Sequence, residues 1–341
     1  MEQTTYKRFA DDAFALLHEA TTVIITSHYS PDDDSIGSVL SVFALLLSKY
    51  PQKNIRIVYT GQKANRYESF AYFSRIEWVN DVANHTADVW IFLDASQYSR
   101  FSKNPENFKV EKTICIDHHA SPADQFTLLM QVKGMSSNCE LIYRIFADED
   151  MLPLIAEPIL LGILGDTSNF SHVIPDQVGV FEVAQKLVGA IGTSIDSFRA
   201  RYGSIPLRVI PALQELVKNI QYGKITGWPD FQYTYISRHL IAELDLNDEE
   251  LSAASHIYMG QYLPKVTGYS WGFVVTPRTD GTCRVSSRAL SGSVNVRDMH
   301  ERLGVGGGHD RASGGFLVQA DPLLGIEKIM NWMKQNQPLF N

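Results

Sequence analysis

The sequence has no excess of positive charge. Its 341 residues carry 30 Lys and Arg against 38 Asp and Glu, a formal net charge of -8. A protein that coats long duplex nucleic acid needs a large basic face to release counterions, so that class is excluded, while short oligonucleotide or mononucleotide ligands stay open. Cysteine is scarce. Cys115, Cys139 and Cys283 are odd in number, far apart and set among apolar residues, which predicts reduced, buried thiols, no cysteine-based zinc site and a cytoplasmic setting. Long apolar runs are missing too. Between Met1 and Ala20 the apolar positions Phe9, Ala13, Leu16 and Leu17 are interrupted by Asp11, Asp12 and Glu19, so neither a signal nor a membrane anchor is expected there, and no span is expected elsewhere. Repeats, low-complexity tracts and heptads do not occur. What remains is a globular chain, 45% hydrophobic, long enough for two ordinary domains.

What the chain does have is a set of apolar runs that end in acids and histidines. Thr113 to Ile116 read as a short buried strand, and Asp117, His118 and His119 stand at its carboxyl end, where open α/β sheets place their ligands. Val23 to Thr26 lead into Ser27-His28-Tyr29-Ser30-Pro31-Asp32-Asp33-Asp34, and Val89 to Leu93 lead into Asp94. Ile159 to Leu164 lead into Gly165-Asp166-Thr167; since Pro153 to Gly165 is long enough for a helix, Asp166 is expected at a helix end. One aspartate in such a place is most often a cap or a turn former. Four endings that offer only oxygen and imidazole suit hard divalent cations such as Mn²⁺ and Mg²⁺. This is the pattern of a two-metal hydrolase.

His28-x-x-Pro31-Asp32-x-Asp34-x-x-Gly37-Ser38, Asp94, Asp117-His118-His119 and Gly165-Asp166-Thr167 resemble, in order and spacing, the four motifs of the DHH phosphoesterase family. Gly306-Gly307-Gly308-His309, followed by Ala312-Ser313-Gly314-Gly315, is similar to the signature of the DHH-associated C-terminal domain. The resemblance spans nearly the whole chain and points to the short, two-domain subgroup of bacterial oligoribonucleases and 3′-phosphoadenosine-5′-phosphate phosphatases. It implies two divalent ions, Mn²⁺ ahead of Mg²⁺, one held by His28, Asp32 and Asp94 and the other by Asp34, Asp94, His118 and Asp166, with Asp94 bridging. It further implies that His119 stabilises the transferring phosphoryl group or assists proton transfer, and that Asp117 orients a ligating imidazole. Arg288 and the Gly306 to His309 segment would grip the substrate phosphate.

Cyclic- or linear-dinucleotide phosphodiesterases share these motifs and are the alternative reading. A pyrophosphatase or exopolyphosphatase would be expected to carry a lysine-rich clamp in place of the glycines, and intact ligand motifs disfavour a silent nucleotide sensor. The chain departs from the family at Gly165-Asp166-Thr167-Ser168, where Thr-Asp-Thr-Gly is the commonest form, which bears on the loop that frames the substrate.

Strands alternating with helical stretches predict a mainly parallel, doubly wound α/β sheet followed by a smaller mixed α/β domain. The expected division is a catalytic domain over 1–190, a helical linker over 191–222, with the helical reading running from Val178 to Gly223, and a substrate-binding domain over 223–341. Read by itself, Gly306 to Gly308 is a turn with bare backbone N–H groups beside an imidazole. Arg284 and Arg288, four apart in a strand-like stretch, share a face. Glu140 falls in the first turn of a helix, where an acid complements the dipole. The expected partner is a short oligoribonucleotide or nucleotide, with room left for a homodimer.

Overall fold

Runs rich in valine, isoleucine and aromatics extend as strands, and longer runs with apolar residues three and four apart wind into helices. The computed structural model describes residues 3–61, 63–202, 205–263 and 265–341, and the chain divides into two units, Met1–Ser204 and Ile205–Asn341. The first contains α1 (Gln3–Glu19), β1 (Thr22–Ser27), α2 (Asp33–Lys49), β2 (Asn54–Thr60), β3 (Ile76–Val79), β4 (Val89–Leu93), α3 (Tyr98–Phe101), β5 (Lys112–Asp117), β6 (Leu128–Gln131), α4 (Asn138–Ile145), α5 (Pro153–Asp166), α6 (Val180–Ile191) and α7 (Ile195–Tyr202).

Its sheet has the order β3-β2-β1-β4-β5-β6 with every pairing parallel. Ser27 pairs with Leu93, and Leu93 with Ile116, so His28, Asp94 and Asp117 leave the sheet along one edge. The winding reverses between β1 and β4, and that crevice is where such sheets bind ligands. Ile25, Ile91 and Ile116 pack toward α1, α2, α4 and α5. The opposite face is closed by Trp90, Phe92, Phe101 and Cys115, with Tyr98, Phe108 and Phe126 against them. Aromatic rings do there what a second helical layer does elsewhere, each buried ring contributing roughly 1.5–3 kcal/mol.

The second unit contains α8 (Ile210–Lys218), β7 (Gln221–Gly223), β8 (Phe231–Tyr235), α9 (Arg238–Leu244), α10 (Asp248–Gln261), β9 (Trp271–Pro277), β10 (Cys283–Ala289), α11 (Val296–Leu303), β11 (Gly306–His309), β12 (Ala312–Leu317) and α12 (Pro322–Gln335). Its strands lie in the order β11-β12-β10-β9-β8-β7, mixed in direction because β8 and β9 alone run parallel. Val274 packs with Ala212, Leu216, Leu251 and Tyr258 of α8 and α10. Phe231, Phe273 and Val285 pack on the other face with Met299 of α11 and Ile329 of α12.

The stretch 191–222, read from sequence as a linker helix, separates into pieces that each find a core. Phe198 of α7 is buried in the first unit, and Ala212 and Leu216 of α8 in the second; residues 203 and 204 lie outside the described ones. Gln221–Gly223 is the edge strand β7, not the end of a helix. Gly306 to His309 is likewise a strand and not a turn, pairing antiparallel with β12. Glycine is required because a Cβ on Gly306 would stand 2.2 Å from the Gly314 carbonyl oxygen. Among the described residues no single helix is long and apolar enough to cross a membrane.

Candidate metal centre

Asp32 serves two purposes at once. It caps α2 through Oδ1, which accepts the Ser35 N–H at 2.9 Å while Ser35 Oγ accepts the Asp32 N–H at 2.9 Å. Its Oδ2 lies 3.6 Å from Nε2 of the buried His28, and that nitrogen is 3.3 Å from Asp94 Oδ2. Asp34, two residues on, is 1% exposed. Its carboxylate accepts the Asn138 N–H at 2.6 Å and the Cys139 N–H at 2.9 Å. These are amides that the first turn of α4 leaves without helical partners. Asp94 sits in the left-handed region, φ 62°, and donates its N–H to Ile116 at 2.9 Å.

His118 closes the arrangement. Its Nδ1 stands 3.3 Å from the Met135 carbonyl, which takes the ring hydrogen and leaves Nε2 as a lone-pair donor. That Nε2 is 3.3 Å from Asp166 Oδ2 at the end of α5, 3.4 Å from Asp94 Oδ1 and 3.7 Å from Asp34 Oδ2. Donor atoms lie within 4.8 Å of one another in three groups: His28, Asp32 and Asp94; Asp34, His118 and Asp166; and Asp94, His118 and His119. All six of the expected ligands therefore meet at one sheet edge.

The residues fit divalent cations. His28 Nδ1, Asp94 Oδ1 and His118 Nε2 are buried without a hydrogen-bond partner among the described residues, a costly state that a bound cation relieves for the latter two. Burial and the neighbouring Asp94 charge push Asp34 up to about 7, and burial together with Asp34 raises Asp166 well above the usual carboxylate range. Burial opposes ionisation of Asp94 as well, yet the imidazoles of His118 and His28 that face it hold it low. Burial would lower His118, but Asp94, Asp166 and Asp34 raise it. Carboxylates have been gathered faster than counter-charge. Cys139 beside Asp34 belongs to none of the three donor groups, and burial and that carboxylate drive its thiol well up.

Asp117, fully buried, accepts the His119 N–H at 3.0 Å and His119 Nδ1 at 2.8 Å on one oxygen, and Gln131 Nε2 at 3.3 Å on the other. It thus orients His119, while the ligand-like ring of His118 is oriented by Met135. The His119 hydrogen bonds outweigh burial and keep Asp117 below its ordinary value. Glu140 does not join the centre: it accepts from Ser136 Oγ at 2.6 Å and Arg144 Nε at 2.8 Å.

Sequence reasoning missed Asn138. Its amide donates to the Ile116 carbonyl at 3.0 Å and accepts from the Asp94 N–H at 3.2 Å and Ser38 Oγ at 2.9 Å. One residue thereby braces Asp94 through its side chain and Asp34 through its backbone. The polar run Ser136-Ser137-Asn138 ahead of a helix was the available signal. Asp33, between two ligand-like acids, turns away to Tyr67 Oη at 2.7 Å and Arg66 at 2.9 Å. Gly162 of α5 lets that helix approach, since a Cβ there would meet Cys139 Sγ at 2.3 Å and Asp34 Oδ1 at 2.6 Å.

In the second unit Arg288 pairs in register with Gly272 on one side and Ala312 on the other, and Ala312 pairs with His309. Its guanidinium donates to the Ser287 carbonyl at 2.9 Å. Burial and the nearby Arg284 lower it to about 10. Behind it, Ser287 Oγ is 2.8 Å from Nε2 of the fully buried His300, which burial pushes down to about 4.

A parallel sheet whose switch point gathers aspartates and imidazoles around shared donors defines a metal-dependent hydrolase. Residues 22–163, which lie within the first unit, match the model of the DHH family, N-terminal domain. The chain is similar to the probable bifunctional oligoribonuclease and PAP phosphatase NrnA of Streptococcus mutans, 26% identical over 303 residues that cover 86% of this chain and 88% of that one. It is also similar to the cyclic-di-AMP phosphodiesterase GdpP of Geobacillus thermodenitrificans, 24% identical over 327 residues, 86% of this chain but 44% of that one. The crystal structure of an exopolyphosphatase-related protein from Bacteroides fragilis shares the fold, with a TM-score of 0.81 at 18% identity over 96% of this chain and 97% of that one.

Proposed function

We propose that the chain hydrolyses phosphoric esters of very short oligoribonucleotides, and the phosphomonoester of 3′-phosphoadenosine-5′-phosphate, with two divalent cations, Mn²⁺ ahead of Mg²⁺. The observation that carries this is Asp94, whose Oδ2 faces His28 and whose Oδ1 faces His118, so that one carboxylate belongs to both donor sets. His28 and Asp32 with Asp94 hold one cation; Asp34, His118 and Asp166 with Asp94 hold the other. When bound, the cations polarise the phosphoryl oxygens and make water nucleophilic at neutral pH. His119, its Nδ1 hydrogen taken by Asp117, keeps a fixed tautomer for proton exchange at Nε2. Arg288 holds a substrate phosphate through charge-assisted hydrogen bonds, with Gly306, Gly307, Gly308 and His309 on the glycine strand across β12 from it.

The Streptococcus mutans relative, matched over most of both chains, supports this reading. Cyclic-dinucleotide hydrolysis is the second reading, supported by the phosphodiesterase relative that matches 86% of this chain. Three free, buried cysteines suit a reducing compartment, the cytoplasm. The test is a product assay with Mn²⁺ on diribonucleotide, cyclic dinucleotide, 3′-phosphoadenosine-5′-phosphate and pyrophosphate. Release of mononucleotides from the diribonucleotide and of phosphate from 3′-phosphoadenosine-5′-phosphate is expected; turnover of pyrophosphate alone would overturn the reading.

A further inference from the structure

The edge of the second sheet carries an unusual run of tyrosines. Tyr222 of β7 is 52% exposed and stacks on Tyr269 with ring centroids 4.3 Å apart and 29° between planes. Tyr262, also exposed, stacks on Tyr258 at 5.4 Å and 14°. Tyr258 lies within electrostatic reach of both Tyr222 and Tyr262, so the two stacks adjoin. Ring faces normally find a core; here they are left at a rim.

The polar groups beneath them are incompletely matched. Tyr258 and Gln232 are fully buried, and neither Tyr258 Oη nor Gln232 Oε1 has a hydrogen-bond partner among the described residues. Gln232 Nε2 donates to the Tyr262 carbonyl at 3.0 Å, which ties the side chain to the tyrosine loop.

Register places this surface in line with the arginine. Tyr222 pairs with Gln232, Gln232 with Gly272, Gly272 with Arg288, Arg288 with Ala312 and Ala312 with His309. A single row across the sheet therefore runs from the tyrosines through Arg288 to His309. Three strand spacings separate Tyr222 from Arg288, about 14 Å, farther than a nucleotide's phosphate lies from its own base. Aromatic faces aligned with a cationic group are the recurrent means of holding single-stranded nucleic acid without regard to sequence.

We propose that Tyr222, Tyr262 and Tyr269 form a stacking platform for a base of single-stranded RNA beyond the nucleotide whose phosphate Arg288 holds. This rests on the oligoribonuclease reading and adds substrate length to it: chains longer than a dinucleotide reach the platform, whereas 3′-phosphoadenosine-5′-phosphate and a dinucleotide do not.

The test compares wild type with Tyr222→Ala, Tyr269→Ala and Tyr222→Trp on ribonucleotides from two to five residues and on 3′-phosphoadenosine-5′-phosphate. Loss of one stacked base predicts a fall of roughly tenfold in kcat/KM on the tetramer and pentamer, with the dinucleotide and 3′-phosphoadenosine-5′-phosphate within twofold, and recovery in Tyr222→Trp. In metal-free protein, a pentaribonucleotide carrying 2-aminopurine at one end and then the other should be quenched by wild type and not by Tyr222→Ala. Equal losses at every length, no loss at any length, or a dimer that dissociates in Tyr222→Ala would overturn the platform, the last because a second copy would then be what covers it. If wild type cleaves no RNA, the oligoribonuclease reading falls, and the fluorescence measurement still decides whether the tyrosines bind a base.

Discussion

The first unit buries histidines among carboxylates; the second buries one beside arginine. Around His28 and His118 the acids Asp32, Asp34, Asp94 and Asp166 outweigh the cost of burial and raise both imidazoles. Around His300 no acid offsets burial: burial and Arg288 depress it to about 4 against a backbone hydrogen bond to Gly314 that raises it, and Arg288 itself is lowered by burial and Arg284. One region therefore stores uncompensated negative charge and the other uncompensated positive charge. The complements proposed for them are chemically distinct, cations for the first and a phosphate for the second. Charges gathered at such a cost to the fold are where ligand sites are found.

The comparison breaks most visibly at Asp94. Asp94→Ala should abolish Mn²⁺-dependent phosphodiester turnover and reduce the bound metal from two ions per chain, read by calorimetry and metal analysis; full activity or unchanged stoichiometry would refute shared ligation. Asp117→Asn should cost roughly 10–100-fold in kcat, the range for groups that orient a functional side chain. If Asp117→Asn is as inactive as Asp34→Ala while both remain folded, Asp117 acts directly on the cation or the proton. In the second unit, Arg288→Ala removes a charge-assisted hydrogen bond worth about 1.5–3 kcal/mol, hence roughly a 10- to 150-fold fall in kcat/KM on a dinucleotide. A small activated phosphodiester should stay within a few-fold, since loss of remote binding leaves the reacting centre intact.

The smallest effect lies in His300. Its folded value of about 4 is below the ordinary 6.5, so as pH falls the unfolded chain takes the proton first. The stability that His300 contributes is full above pH 6.5 and declines between 6.5 and 4, by about 2 kcal/mol at pH 5. Denaturant melts at pH 7 and 5 should show wild type losing stability relative to His300→Gln between the two, a difference that cancels the metal-centre acids titrating in the same range. Equal slopes would mean that His300 is not held neutral.

Much of the candidate metal centre's layout was legible because each acid or imidazole follows an apolar run, and a strand's carboxyl end is fixed by where that run stops. His28, Asp94 and Asp117 needed no more than this. Asn138 was hidden because a polar residue at a helix start looks the same whether it caps the helix or reaches across to Asp94. The wiring of Asp117 to His119 and of Met135 to His118 depends on the path of the chain between β5 and α4, which no local periodicity encodes. In the second unit the glycines read as a turn, since flexibility is what glycine shows in isolation. Their role as an edge strand appears only when Gly314 and Gly315 come to lie opposite.

Asp94 also has a history written in its backbone. A side chain at φ 62° occupies a region that glycine enters freely, and its carboxylate is buried near two others. Asp94→Gly would relax the backbone but would take from His28 and His118 the carboxylate that both face, so the strain relieved is set against two buried imidazoles left without that partner. Among relatives of the chain, a glycine at this position would mark a lineage in which the reaction has been given up and the scaffold kept.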